Sequence, residues 1–301
     1  MSKIQDALRK IQSGSGGREK KIVQSGETSQ IAALTIAPPE EEVDLESYDG
    51  RIVAIDRQLL RSAGLLAPEE QELYIAEQYR IIKRPILDLM AGAYADKPEF
   101  ANLVMIASAL PGDGKTFNAI NIALSMAVEK DTSVLLVDAD VAKPHVSELF
   151  GLKSEPGLID VLTDKSLSVD NAIIRSDVPG LSLLPAGRPN SHATELLASR
   201  RMARMAAHLS KSVPNRIVIF DSPPLLVTSE SRVLASRMGQ IALVVCAGKT
   251  PRQAIDSVLD SLDADKAVNL ILNQAGTSFS DAAYGSYQYG YGYGERATAR
   301  T

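Results

Sequence analysis

Six short runs that are apolar on both faces recur between residues 102 and 273: "NLVMIAS", "SVLLVDAD", "LSLLPAG", "RIVIFDS", "IALVVCA" and "AVNLILN". A strand with one face in water alternates polar and apolar residues, whereas a strand apolar throughout must be covered on both sides. Stretches such as "NAINIALSMAVEK" and "ATELLASRRMARMAAHL", which lie between them, carry helical periodicity and supply that cover. The fold class this dictates is α/β, three layers, with a mainly parallel sheet between helices. Ligands of such sheets sit beyond the carboxyl ends of the strands, so the residues that follow each run carry the functional information.

With 301 residues and 45% hydrophobic content, one domain of about 200 residues plus appendages fits the chain. Residues 1–11 place Ile4, Ala7, Leu8 and Ile11 on one helical face, which predicts an amphipathic helix, either for docking or as a frayed terminus. Residues 12–66 are rich in Ser, Gly, Pro and charge and are expected to form a disordered linker. The domain proper is expected over 67–275, opening with the helix "PEEQELYIAEQYRIIKR", which Pro85 should end or kink. Residues 276–301 form a flexible tail by composition.

The net charge of -5 gives no general attraction to nucleic acid, so no nucleic-acid partner is expected. One cysteine, Cys246, sits inside an apolar run as a structural thiol and excludes disulfides. No apolar run approaches the roughly 18 residues that span a bilayer. The expected location is cytoplasmic, or peripheral to a membrane through a partner.

The first run leads directly into "SALPGDGKTF". Pro111, Gly112, Asp113, Gly114, Lys115, Thr116 and Phe117 have the parts of a phosphate-binding loop: glycines that let backbone N–H groups face a phosphate, a lysine for the β/γ charge, and a hydroxyl for Mg²⁺. Ala109 stands where the usual pattern opens with glycine, but strand, loop and helix follow in the right order. The second run ends with Asp138 and Asp140, two residues apart, and the fourth ends with Asp221. Carboxylates aimed at one place need a cation between them, and one of them can instead take a proton from an attacking hydroxyl.

The combination "LPGDGKT", "VLLVDADVAKP", "LLPAGRPN...ELLASRRM" and "IVIFDSPP", with a tyrosine-rich C-terminus, resembles the bacterial tyrosine autokinases (BY-kinases) of exopolysaccharide synthesis. The resemblance runs from about residue 70 to the end; "MSKIQDALRKI" and "EQYRIIKRPIL" resemble the subgroup found beside exosortase-linked loci. It implies a P-loop ATPase fold that uses ATP and Mg²⁺ to phosphorylate its own tail. It makes Lys115 the phosphate-binding lysine, Thr116 a Mg²⁺ ligand, Asp138 and Asp140 the second-motif carboxylates and Asp221 the Walker B acid. Asp138 would face the incoming tyrosine hydroxyl, and Asp140 or Asp221 would organise the metal. Asn273, which ends "NLILN", falls where related ATPases read adenine. Lys143 and Phe117 replace residues more usual at their positions.

The tail "YGSYQYGYGYGE" places Tyr284, Tyr287, Tyr289, Tyr291 and Tyr293 among glycines that keep each one free to enter a pocket. In the family these are the autophosphorylation sites, and an acidic–basic helix pattern joins subunits into a ring. Here that pattern is Glu77, Arg80 and Arg84. The resemblance further implies a membrane polysaccharide chain-length (co-polymerase) protein as activator, a cognate tyrosine phosphatase, and self-association. Cell-division-site and plasmid-partition ATPases, which act as switches, share the sheet and the aspartates, but their loop carries an early lysine where this chain has Leu110.

Overall fold

The computed structural model describes residues 51–93 and 98–275. The expected helix over 1–11, the linker up to residue 50 and the tyrosine tail lie outside the described residues. The chain begins with β1 (Ile52–Val53), α1 (Arg57–Ser62) and the long α2 (Glu72–Met90). Next come β2 (Leu103–Ser108), α3 (Lys115–Ala127), β3 (Ser133–Asp138), α4 (His145–Leu149), α5 (Leu158–Thr163), α6 (Val169–Ala172), β4 (Ile174–Ser176) and β5 (Leu181–Leu184). The last part supplies α7 (Ala193–Ala198), α8 (Arg200–Lys211), β6 (Arg216–Asp221), α9 (Ser229–Ala235), β7 (Gln240–Cys246), α10 (Arg252–Ser261) and β8 (Ala267–Asn273).

The strands form one sheet in the order β1-β4-β5-β3-β6-β2-β7-β8, with every neighbouring pair parallel except β4 with β5. Strand β2 is buried at all six positions because its neighbours pair on both edges and helices cover both faces. Its Leu103, Met105 and Ala107 join the apolar layer under α5 to α10, while Val104 and Ile106 join the layer under α1 to α4. The three-layer reading of the six apolar runs matches this arrangement.

Three expectations change. Residues 51–66, assigned by composition to the linker, are built into the domain: Val53, Ile55, Leu60 and Leu65 are buried and β1 pairs with β4. Asp56 fixes the start of α1 by accepting from the Gln58 and Leu59 N–H groups, and Asp177 accepts from the Ile55 N–H. Of the two outcomes expected of Pro85, an end or a kink, it does not end its helix, since α2 continues to Met90. It is exposed, and the carbonyl it frees belongs to Ile81, also exposed, where water can satisfy it. The stretch 193–211 is two helices rather than one, because Ser199 adopts an extended conformation and caps α8 through the Met202 N–H.

Candidate active site

The phosphate loop leaves the end of β2 and turns into α3. Gly112 and Gly114 adopt positive φ of 84° and 100°, which the loop requires to fold its backbone N–H groups inward. Asp113 holds the turn closed: one carboxylate oxygen accepts from the Leu110 N–H at 3.0 Å and the other from the Thr250 hydroxyl at 2.7 Å. No side chain caps the 13-residue helix that starts at Lys115, so its first N–H groups stay available to an anion. Lys115 is 8% exposed at that first position.

Strand register brings the carboxylates together. Asp138 and Asp221 are Cα partners across the β3–β6 pair, and Ile106 in β2 is the partner of Asp221 on the other side. Both aspartates are therefore buried at the carboxyl ends of the central strands. Thr116 donates its hydroxyl to Asp221 Oδ2 at 2.8 Å, which ties the loop to the strand. Asp138 Oδ2 accepts from the backbone N–H and the hydroxyl of Ser147, each at 2.7 Å. The Oδ1 atoms of Asp138 and Asp221 have no hydrogen-bond partner. Asp140 lies just past β3, half-buried, and accepts from the Lys143 N–H.

Burial raises the Asp138 carboxyl to about 6 against the opposing pull of its Ser147 bonds. Burial first, then the neighbouring Asp138 charge, raises Asp221 to about 7. Burial also raises Asp140, with Lys143 and Lys115 pulling the other way. For Lys115, burial lowers the pKa and outweighs its attraction to Asp221, Asp140 and Asp113. A site with two unpartnered buried carboxylate oxygens beside a threonine hydroxyl fits Mg²⁺, which takes one or two protein carboxylates and completes its shell with water and phosphate. Among the described residues no group of three or more His, Cys, Asp or Glu is gathered to cage a metal.

The other expected site residues also make contacts of their own. The Asn273 side-chain amide donates to the Asp113 carbonyl at 2.9 Å and occupies the space a Cβ on Gly114 would need, so that nitrogen ties the end of β8 to the loop. The Phe117 ring packs towards Tyr79, 6.5 Å between centroids. Glu77, Arg80 and Arg84 are exposed on α2, but Glu77 pairs with Arg80 at 2.7 Å and Arg84 with Asp88 at 3.2 Å within the helix. Sequence reasoning missed Ser147, Asn118 and Tyr79. Tyr79 lies within "EQYRIIKRPIL" and Asn118 within "NAINIALSMAVEK", but neither stretch marks them as site residues, and only the packed fold brings them and Ser147 to the loop and the aspartates.

Among the described residues no helix is long and apolar enough to cross a membrane. The family model described as an AAA domain matches residues 101–247, which hold the loop, Asp138, Asp140 and Asp221. The chain is 32% identical over 228 residues to the tyrosine-protein kinase YwqD of Bacillus subtilis (strain 168), covering 76% of this chain and 90% of that protein. It is 30% identical over 191 residues to the putative tyrosine-protein kinase EpsB of Ralstonia solanacearum, which covers 64% of this chain but only 24% of EpsB. The crystal structure of the VpsO kinase domain superposes with a TM-score of 0.58 at 28% identity, covering 69% of this chain and all of that one. An uncapped phosphate loop, paired aspartates on adjacent strands, and near full-length similarity to a relative of that name lead to one conclusion: the chain belongs to the bacterial tyrosine-protein kinases, on a P-loop nucleotide-binding fold.

Proposed function

We propose that the protein transfers the γ-phosphoryl group of ATP to its own C-terminal tyrosines, Tyr284, Tyr287, Tyr289, Tyr291 and Tyr293. The observation that carries this reading is the buried pair Asp138 and Asp221, each with one free oxygen, beside the uncapped helix that starts at Lys115. The loop N–H groups from Gly112 to Thr116 hold the β- and γ-phosphates, and Lys115 neutralises charge on the transferring group. Asp138, with Oδ2 fixed by Ser147 and Oδ1 free, accepts the phenolic proton as the tyrosine oxygen bonds to phosphorus and the bond to ADP breaks. A carboxyl raised to about 6 is mostly ionised at pH 7.5 yet basic enough to take that proton. Thr116 and Asp221, with Asp140 nearby, would hold Mg²⁺, whose chemistry is to spread the negative charge of the phosphates.

Intact-mass spectrometry with tail peptide mapping, after incubation with Mg-ATP, tests this directly. The expected result is multiple additions of about 80 Da on Tyr284 to Tyr293, absent in Lys115→Met. No additions, even with an activating membrane partner's cytoplasmic segment present, would move the assignment to a nucleotide-driven switch.

The partners in this reading are a membrane polysaccharide co-polymerase as activator, a tyrosine phosphatase that resets the tail, and further copies of the chain assembled through the outer face of α2. Such a protein works at the cytoplasmic side of the inner membrane through its partner. Full phosphorylation adds about 7 to 10 negative charges to a chain already at -5, and that repulsion favours release of subunits. Sedimentation at equal concentration should show the phosphorylated form as the smaller species; identical oligomers in both forms would contradict the cycle.

A further inference from the structure

Tyr79 lies on the inner stripe of α2 with Lys83, Ile86 and Leu89, and is 5% exposed. Its phenolic O–H donates to Asn118 Oδ1 at 3.0 Å. The other end of that amide, Nδ2, donates to the Gly114 carbonyl at 2.9 Å. Asn118 is 1% exposed, so no water can replace either partner readily. Gly114 holds its φ of 100° immediately before Lys115, and its carbonyl also accepts the Asn118 backbone N–H at 3.0 Å. The side-chain bond therefore grips the peptide on which the curvature of the phosphate loop depends.

We infer that Tyr79 is a positioning residue for the nucleotide site: through Asn118 it braces the Gly114 carbonyl and so keeps the phosphate loop in its binding shape. It touches no reacting atom. With its hydroxyl present, the amide oxygen of Asn118 is satisfied and the amide nitrogen is aimed at the loop. Without it, that oxygen is buried and unpaired, and the amide relieves the cost by turning, which releases Gly114. Lys83, one turn further along α2 and equally buried, donates instead to the Ser125 carbonyl at 2.6 Å and pairs with Glu129 at 2.7 Å, at the far end of α3. The two inward polar residues of α2 thus divide their tasks, one steadying the helix and the other steadying the loop.

The inference rests on the assignment of the loop to the phosphates, which Lys115→Met tests separately by removing nucleotide binding with the Tyr79–Asn118 bond intact. The experiment compares the full chain with Tyr79→Phe, Asn118→Ala, the double variant and Lys83→Met. It measures Mg-ADP affinity by calorimetry, KM for ATP and kcat for phosphorylation, and nucleotide-free melting temperature. Tyr79→Phe keeps the ring against Phe117 and removes only the oxygen. It should raise KM and weaken Mg-ADP binding about five- to thirtyfold while kcat changes less than about twofold. The double variant should bind no more weakly than Asn118→Ala alone. Lys83→Met should lower the melting temperature and leave KM unchanged. A Tyr79→Phe protein that melts earlier but keeps the wild-type KM would overturn the inference, as would additive losses in the double variant.

Discussion

Asp221→Asn is expected to abolish most phosphoryl transfer while making the nucleotide-free protein harder to unfold. The loss of activity follows from removing the charge tied to Thr116 where Mg²⁺ is proposed to sit, worth several kcal/mol of transition-state stabilisation, or about a thousandfold in rate. The gain in stability follows from the same charge being buried, opposite Asp138, with Oδ1 unpartnered. Asparagine keeps an oxygen for the Thr116 hydroxyl and removes the ionisation. The sign with pH is fixed by the direction of the shift. A carboxyl whose pKa rises on folding binds its proton more tightly in the folded state, so folding is favoured below the unfolded pKa of about 4 and loses stability as pH climbs towards 7. The advantage of the variant should therefore be small at pH 4.5 and level off above pH 7 at about 2–4 kcal/mol, which is about 5–10 °C in melting temperature. Mg-nucleotide should stabilise the wild type and not the variant. An unchanged or lower melting temperature for Asp221→Asn at pH 8 would show that the charge is already neutralised in the folded protein.

Gly157→Ala is expected to destabilise the fold and slow the reaction, although Gly157 lies outside every motif. Its backbone is extended, at φ -147°, so conformational strain is not the cause. A Cβ there would fall well inside contact distance of the Pro185 carbonyl and the Gly187 nitrogen, both main-chain atoms that cannot swing aside. Relief requires the 185–188 loop to move, at a cost of about 2–3 kcal/mol. That loop is fastened on both sides: Leu158 and Ile159 donate to the Pro185 and Ala186 carbonyls, and buried Asp160 accepts from the Arg188 backbone and guanidinium. It also reaches the reaction, because the Ala186 N–H donates to the Ser147 hydroxyl at 2.9 Å, and Ser147 holds Asp138. The variant should melt about 5–10 °C lower and, at a temperature where it is still folded, show kcat reduced about tenfold with KM for ATP little changed. A destabilised variant with wild-type kcat would separate the loop from Asp138.

The parts of this site that were legible in the sequence are those written in consecutive residues. Strand, glycine turn, lysine and threonine all lie within one stretch, and an aspartate at the end of an apolar run is visible as such. Register is not written that way. Nothing in "VLLVDAD" or "IVIFDSPP" states that Asp138 and Asp221 face each other, because that depends on which strands become neighbours, and β3 and β6 are separated by about a quarter of the chain. For the same reason Ser147 and Tyr79 read as ordinary polar and aromatic residues until packing places them. The error over residues 51–66 had a different source. A two-residue strand and a six-residue helix are too short to show a period, and burial of Val53 and Leu60 comes from contacts made by the rest of the domain.

The two sides of α2 are under unlike constraints. Its outward charges satisfy one another along the helix, and each exposed pair contributes only tenths of a kcal/mol, so they can be exchanged with little consequence for folding. Its inward polar residues Tyr79 and Lys83 are buried and bonded to α3, so a change there leaves a buried partner unsatisfied. A lineage could therefore rewrite which surfaces this helix recognises, substitution by substitution, while the nucleotide chemistry behind it stays as it is.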